Sequence, residues 1–457
     1  MIFHKATPIW VAFYLKSTKI LPETGKMAHY SEDQPETIHD TPQEPSNELV
    51  CQVLNFKTDG AELIHMLDGL SATDWEAFRQ AAQHQGVSLL VNQHLSAIKD
   101  EIKIPGSLST GWHQEVLTSA TRNMLMLHEA KLILSALRAQ TLEVIVLKGL
   151  FLVEHVYSNI SLRAFSDLDL MVSRNAIDQA IACLEGLGYA VETYYDSGDV
   201  NCDIKHVPPM TKPNGPYVEI HWTILEEDEP FAIDTAGLWE RAVPARVAGV
   251  DVLALGLEDL LLHLCTHLGY QHHLNIGLRG LYDIALVLDH YQGQVDWQKL
   301  ITIARQWGVE RVVWLVFKLA GELLGAEVPQ DVYEQLVVGN VPPDILSGAR
   351  LQLLAGEGQP VQMTPDLAKL ARSKGFLARL KVMLSRVFIP RQSLARLYNV
   401  SPRSLKIVGC YFRRTRDLWR NYRGAVRQVL VGDEATMAGA VGEERIEHLR
   451  SWMGKSS

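Results

Sequence analysis

The sequence predicts an α+β protein in which a small mixed sheet with helices is flanked by helical modules. Apolar residues recur at three- and four-residue spacing before about residue 139 and after about residue 250, which is typical of helices. Between them lie short β-branched or alternating segments typical of strands. The chain has 457 residues and is 47% hydrophobic, enough for several modules and a sizeable core. We predict five regions: a disordered acidic leader (1–50), an N-terminal helical module (51–138), a sheet core (139–250), a helical module (251–345) and a basic, mostly helical C-terminal region (346–457).

Composition narrows the function classes. The net charge of -10 argues against a general nucleic-acid binder, because phosphate backbones select positive surfaces. Five scattered cysteines without a CxxC pair indicate neither a zinc site nor a disulfide framework, so we expect a cytoplasmic protein. The apolar stretch 8–15 is too short to cross a bilayer, and no transmembrane segment is expected. Residues 22–48 are rich in Pro, Glu, Asp, Ser and Thr, which predicts the disordered leader; Met27 is an alternative start.

The N-terminal module begins with amphipathic segments. Ser71 or Thr73 is predicted to cap the segment that follows, and a long helix is predicted from about Trp112 to residue 140. At 143–147 the period changes to that of a short strand, Lys148 and Gly149 form a turn, and a helix resumes. Backbone N–H groups at such a junction can face an anion, and a lysine adds a charge, although most strand-turn-helix junctions bind nothing.

The segment "RAFSDLDLMV" (163–172) places two carboxylates on one face of a predicted strand. Asp167 and Asp169 alternate with apolar residues, so they lie side by side. Their mutual repulsion costs stability, which a hard divalent cation such as Mg²⁺ removes. The alternative is an exposed edge strand with two solvated aspartates. The same repulsion predicts that Asp169→Asn leaves the metal-free fold intact or more stable.

A third acid lies in a later strand. "GPYVEIHWTI" (215–224) puts Glu219 and His221 on one strand face. Two aspartates on one strand and an acid on another fit two-metal phosphoryl or nucleotidyl transfer. His263 and His267 are spaced i, i+4 on a predicted helix, and we interpret them as structural or cleft-lining, with His221 nearer the chemistry.

The chain from about residue 251 onward is predicted to be helical. Arg279 and Asp283 are predicted to form a helix salt bridge. The range 369–427 contains sixteen Lys and Arg residues but only one acidic residue, Asp417, and aromatic residues are interleaved with the basic ones. This pattern fits a polyanion or an anionic surface, or alternatively a helical hairpin packed on the acidic remainder. The final twenty or so residues are expected to fray.

These motifs resemble the polymerase-beta-type nucleotidyltransferase superfamily and, more closely, the bacterial uncharacterised nucleotidyltransferase family. The shared features are the "LKG" turn, the Arg-x-x-x-Asp-x-Asp strand and the Glu-x-His-Trp strand, within about residues 60–290. The resemblance implies a polymerase-beta-like nucleotidyltransferase core, with Asp167, Asp169 and Glu219 as catalytic and metal-binding residues. It implies that Lys148 and Gly149 face the nucleotide phosphates and that Arg163 contacts the triphosphate or acceptor. Leu150 stands where the superfamily usually has a second small residue that touches the phosphate.

The implied activity is that of a transferase. It is metal-dependent transfer of a nucleoside monophosphate from an NTP, such as ATP, to an acceptor, with Mg²⁺ or alternatively Mn²⁺ and release of pyrophosphate. Two alternatives stay open. One is a catalytically inactive nucleotide-binding or scaffold protein with a partner-binding C-terminal region, and the other is a metal-dependent phosphotransferase.

Overall fold

The computed structural model describes residues 43–191, 205–227, 229–337, 340–355, single positions between 384 and 404, 406–431 and 434–454. The predicted leader up to residue 42 therefore lies outside the described residues. The helices in these ranges are α1 Gln43–Leu54, α2 Gly60–Leu67, α3 Ala72–His84, α4 Ser88–Ala97, α5 Gly106–Ala139, α6 Lys148–His155, α7 Ile177–Gly186, α8 Thr235–Glu240, α9 Leu257–Thr266, α10 Leu278–His290, α11 Trp297–Trp307, α12 Glu310–Leu324, α13 Gln330–Leu336, α14 Pro343–Ala355, α15 Lys406–Val431 and α16 Glu434–Met453. Short 3₁₀ turns occupy Ile160–Leu162 and Arg174–Ala176, and a π-helical turn, His267–Gln271, continues α9.

The N-terminal module is helical, as its periodicity predicts. Ser71 caps α3 in a capping box, in which its hydroxyl accepts from Asp74 N (3.2 Å) and Ser71 N donates to the Asp74 carboxylate (2.9 Å). The first helix begins at Gln43, inside the range predicted as leader, because Val50 and Leu54 bury one face of α1 in the core. The long helix α5 begins six residues before the predicted Trp112.

A seven-stranded mixed sheet forms the core of the chain. Its strands are β1 Ile145–Val146, β2 Asp167–Met171, β3 Ala190–Val191, β4 Met210–Thr211, β5 Tyr217–His221, β6 Val243–Val247 and β7 Val250–Ala254. Their order is β3-β4-β5-β2-β1-β7-β6. The central pair, β2 and β5, is parallel, and its register places Asp169 opposite Glu219. The predicted α+β class with flanking helices is therefore confirmed.

One part of the sheet was not predicted from the sequence. β6 and β7 form an antiparallel hairpin, and β7 pairs in parallel with β1. The predicted boundary at residue 250 therefore falls at the start of β7, and the chain is not yet helical there. β6 is an edge strand with exposed Val243 and Pro244, so it lacks the strong alternation of a half-buried strand.

The C-terminal helix α16 corrects the expectation that the chain frays at its end. Leu449, Trp452 and Met453 are buried, spaced three and four residues apart on one face. Trp452 packs edge-on against Trp314 of α12 with 5.9 Å between ring centroids, and Arg311 lies over its ring. The end of the chain is therefore part of the main core.

Among the described residues, no helix combines the length and apolar character that crossing a bilayer requires.

Candidate active site

Two neighbouring parallel strands bring an acidic cluster to one face of the sheet. Asp169 on β2 and Glu219 on β5 are register partners, and His221 follows Glu219 by two residues on the same face. His221 Nε2 lies 3.0 Å from Asp169 Oδ1 and 3.3 Å from Glu219 Oε2. The imidazole thus links the two carboxylates. His221 contacts both acids, and its expected place nearer the chemistry than His263 or His267 stays a prediction.

Asp169 is the most enclosed of the acids. Its side chain is 4% exposed and pairs with Lys148, whose Nζ lies 3.0 Å from Oδ2. Although burial opposes it, Lys148 and His221 hold the pKa of the Asp169 carboxyl well below its usual range. The carboxylate is therefore ionised. Asp169→Asn would therefore remove the charge that Lys148 neutralises as well as the repulsion between Asp169 and Asp167, and its effect on the fold stays a prediction.

The repulsion between the like charges acts mainly on Asp167. It is half-buried, and burial together with the neighbouring Asp169 carboxylate raises its pKa. Glu219 differs again, since the hydrogen bond from His221 lowers its pKa although burial opposes this. The three acids thus share this face of the sheet with the ammonium groups of Lys148, which pairs with Asp169, and Lys205, which lines the same cleft as Asp167 and Glu219.

The junction between β1 and α6 supplies the lysine. Lys148 is the first residue of α6, so the predicted turn is already helical, and its φ of 32° is a rare conformation for a residue with a side chain. Its Nζ contacts both Asp169 and His267 Nε2, the latter at 3.1 Å. Gly149 follows, and an added Cβ would lie 2.8 Å from Arg163 Nη1. A side chain here would therefore force Arg163 or the start of α6 to shift.

Arg163 lies in a buried ion pair beneath this junction. Its Nε and Nη2 each donate to one oxygen of Asp283 at 2.8 Å, and Tyr157 donates to the same carboxylate at 2.6 Å. This corrects the expected Arg279–Asp283 salt bridge, since Asp283 binds Arg163 and Arg279 lies 3.5 Å from the carbonyl oxygen of Ala164. The Arg163 side chain is 11% exposed, and Nη1 faces Gly149.

His263 in α9 is buried and His267 in the π-helical turn that follows lines a cleft, as interpreted from the sequence. His263 is fully buried, and burial lowers its pKa well below the usual value, so its ring is neutral. His267 lines the cleft, with its Nε2 3.1 Å from His272 Nε2. Burial, reinforced by Lys148, lowers the pKa of His267, and the pKa of His272 falls to about 4.

Two adjoining clefts open over the acids and share Lys148, Asp167, His267 and His272. The smaller, which we call the α6 cleft, measures ≈ 170 Å³ and also includes Gly149, Arg163, Ser166, Asp169 and Arg279. The larger, which we call the Arg450 cleft, measures ≈ 450 Å³ and also includes Lys205, His206, Glu219, Glu226, Glu229, Gln271, His273 and Arg450. Both clefts are lined mostly by charged and polar side chains.

The donor set is suited to a divalent cation. One ligating atom each of Asp169, Glu219 and His221 lies within 4.8 Å of the others. Carboxylate oxygens suit Mg²⁺ and Mn²⁺. Asp167 lies two residues from Asp169 on the same strand face and lines both clefts. These residues therefore fit a metal centre with oxygen ligands.

Several site residues could not be identified from the sequence. Lys205 and Arg450 lie outside any motif, and Asp283 was assigned a different partner. Each reaches the site through tertiary packing: Lys205 from the segment that pairs with the end of β5, and Arg450 from α16. A stripe of Leu449, Trp452 and Met453 was the available signal for α16.

Comparison with known proteins gives a family. The model of a family described as uncharacterised nucleotidyltransferase matches residues 71–325, which contain both central strands, the β1–α6 junction and Asp283. Searches of curated proteins and of solved structures returned no match. The matched region is more than half of the chain and carries the acidic cluster, so the chain belongs to the uncharacterised nucleotidyltransferase family.

Proposed function

We propose that the protein is a Mg²⁺-dependent nucleotidyltransferase that moves a nucleoside monophosphate from an NTP, such as ATP, to an acceptor and releases pyrophosphate. The observation that carries this proposal is the register of β2 and β5, which sets Asp169 directly beside Glu219 next to the β1–α6 junction. Mn²⁺ is the alternative ion. Free NTP and Mg²⁺ are cytoplasmic, and we propose that the protein acts there.

The acids are proposed to hold the metal ions. Asp169 and Glu219 supply adjacent oxygens, Asp167 supplies a further one, and His221 holds the first two in place through its Nε2. The bound metals would neutralise the triphosphate and lower the pKa of the acceptor hydroxyl. Catalysis by the chain itself is then mostly positioning and charge stabilisation.

The β1–α6 junction is proposed to hold the donor phosphates. Lys148 lines both clefts, and its Nζ is within reach of a phosphate bound between Asp169 and α6. Gly149 keeps the helix start free of a side chain. A contact between Arg163 and the triphosphate stays a prediction. Nε and Nη2 of Arg163 bind Asp283, so Nη1 is the nitrogen that would contact the triphosphate.

A binding and transfer experiment tests this function. Thermal unfolding of the wild type is measured with each of the four NTPs, with and without Mg²⁺; a ligand at about 100 times its Kd adds roughly 2.7 kcal/mol to stability. Transfer is then followed into a small-molecule extract with NTP labelled at the α- or the γ-phosphate. Label from the α-phosphate alone supports nucleotidyl transfer, whereas γ-label indicates a phosphotransferase. No shift and no transfer favour the inactive scaffold.

The basic helix α15 is proposed to bind a polyanion or an anionic surface. Phe412 and Trp419 are 76% and 63% exposed on it, and the side chains of Arg413 and Arg416 are exposed beside them. Exposed aromatics among arginines suit both lipid headgroups and nucleic-acid backbones. Retention on heparin at increasing salt, compared between the wild type and the Arg413→Gln/Arg416→Gln variant, tests it; equal elution contradicts it.

A further inference from the structure

The Arg450 cleft contains a cation from outside the family region. Arg450 lies on α16, well beyond residue 325, where the family match ends. Its guanidinium lies 4.9 Å from the centroid of the Tyr270 ring, a cation–π contact that holds the side chain where it lines the cleft. Burial of Leu449 and Met453 on either side fixes the helix. The C-terminal helix therefore contributes to the wall of the site.

A second cation connects Arg450 to the acidic cluster. Lys205 lines the same cleft, and its Nζ donates to Gln271 Oε1 at 3.1 Å. Its charge interacts with those of Lys148, Asp169 and Glu219 and with that of Glu229. Glu229 in turn interacts with Arg450. Lys205 and Arg450 therefore line one cleft together with Glu219 and Glu229.

Besides Lys148, Asp167 and Glu219, the Arg450 cleft is lined by two cations, Lys205 and Arg450, and two carboxyl groups, Glu226 and Glu229. Burial, together with repulsion by Glu226, raises the pKa of Glu229 to about 7, so roughly half of this carboxyl is protonated at pH 7. Burial and Lys148 also lower the pKa of Lys205, a tendency that a bound anion would oppose. Two cationic side chains line this one cleft, Lys205 in contact with the neutral Gln271 amide and Arg450 in contact with the Tyr270 ring, and both are available to bind a negative group.

Transfer to an acceptor requires that two substrates meet at one phosphorus atom. The α6 cleft contains Gly149 and the start of α6, which suit the donor phosphates. The Arg450 cleft contains Glu219, an acid of the cluster that does not line the α6 cleft, so an acceptor hydroxyl bound here would lie beside it. We infer that the acceptor binds in the Arg450 cleft and carries an anionic group, a phosphate or a carboxylate, which Arg450 and Lys205 bind. This inference rests on the proposed nucleotidyl transfer.

The test separates the two substrates. Protein saturated with Mg²⁺ and the NTP that gives the largest thermal shift is titrated with methyl phosphate and, separately, with acetate, which distinguishes the two sources of negative charge. The wild type is compared with Arg450→Gln, Lys205→Gln and Arg450→Lys. Arg122→Gln is the matched control, because Arg122 is exposed on α5 and lines neither cleft.

We expect one of the two anions to stabilise the wild type and Arg122→Gln at the same concentration. Arg450→Gln and Lys205→Gln should each require about 10-fold more, since one charged hydrogen bond is worth about one decade in binding, and Arg450→Lys should recover part of the loss. No stabilisation of the wild type by either anion, or equal titrations for Arg450→Gln and the control, overturns the inference. Loss of the NTP shift in Arg450→Gln also overturns it, because Arg450 would then bind the donor. A wild type without any NTP shift contradicts the proposed function instead.

Discussion

Two buried aspartates, Asp169 and Asp283, each form an ion pair with a basic side chain. The two pairs differ in the type of cation and in the charges that surround them. Asp169 pairs with Lys148 at 3.0 Å, and Asp283 pairs with Arg163 at 2.8 Å. Their side chains are 4% and 5% exposed. Each also has a second polar partner, His221 for Asp169 and Tyr157 for Asp283.

The difference lies in the cation and in the neighbours. Arg163 binds Asp283 through two parallel hydrogen bonds, so this pair is geometrically complete. Lys148 is a single point charge on a flexible stem that lines two clefts, and Asp169 has Asp167 and Glu219 beside it. The Arg163–Asp283 pair is therefore a structural ion pair under the β1–α6 junction. The Lys148–Asp169 pair is part of a charged site in which a metal ion could replace Lys148 as the partner of Asp169.

The largest expected effect is on transfer in Asp169→Asn. Losing the central ligand of the acidic cluster should lower nucleotidyl transfer at least about 10³-fold, or roughly 4 kcal/mol of transition-state stabilisation. Incorporation of α-labelled nucleotide measures it. Asp283→Asn, assayed at a temperature where it is folded, should keep far more activity. Equal rates for Asp169→Asn and the wild type would exclude Asp169 from the metal site.

The effect on stability should reverse that order. Asp283→Asn leaves the Arg163 guanidinium buried without its carboxylate, and breaking a buried pair from one side costs about 3–5 kcal/mol. In Asp169→Asn, Lys148 can turn into the clefts and be solvated, so we expect a loss of only about 1–2 kcal/mol. Urea unfolding of both variants measures the difference. A larger loss in Asp169→Asn would mean that both pairs are structural.

The sequence predicted the acidic strand face but not the partner of Asp283. Strand alternation identified the face that carries Asp167, Asp169 and Glu219, because side chains two residues apart lie on one face whatever the strand pairs with. It could not identify the partner of Asp283. The i, i+4 spacing favoured Arg279, but the closer partner is Arg163, 120 residues away in sequence, and only packing of α10 against the loop before β2 brings them together.

The same limit applies to the edges of the fold. The β6–β7 hairpin has an exposed edge strand with little alternation, so its sequence resembles a loop. The helix α16 follows a basic region and is amphipathic only in its last residues, which makes its burial difficult to predict. Arg450 therefore had no signal in the sequence, although it lines the same cleft as Glu219. Local patterns predict a face, and long-range contacts decide what lies opposite it.

An intermediate effect is expected for Gly149→Ala, which lies between the two pairs. The added methyl would lie 2.8 Å from Arg163 Nη1 and 3.4 Å from Phe165 Cβ, so the start of α6 or the guanidinium must move. Overpacking of this kind costs about 1–3 kcal/mol. We expect thermal unfolding to show that loss, together with a weaker NTP-dependent shift. Gly111→Ala in α5, where an added Cβ meets nothing within 4 Å, is the control and should be neutral or slightly stabilising. Equal behaviour of the two variants would contradict the tight approach.

The smallest effect should come from Asp167→Asn, and its sign is the informative part. The pKa of Asp167 is raised in the folded protein, so its ionised form costs stability at pH values above that raised pKa, and the cost disappears as the pH falls through it. Asp169 has a lowered pKa, and the stability it contributes is present above its unfolded pKa and disappears only at lower pH. At pH 7 without metal, Asp167→Asn should therefore raise the unfolding midpoint by about 1–3 °C, whereas Asp169→Asn lowers it.

Adding Mg²⁺ should stabilise the wild type and reduce or reverse the advantage of Asp167→Asn, because the ion neutralises the repulsion that the substitution removes. A midpoint below that of the wild type for metal-free Asp167→Asn would mean that the fold stabilises this carboxylate. The acidic cluster would then be structural in the same way as the Arg163–Asp283 ion pair.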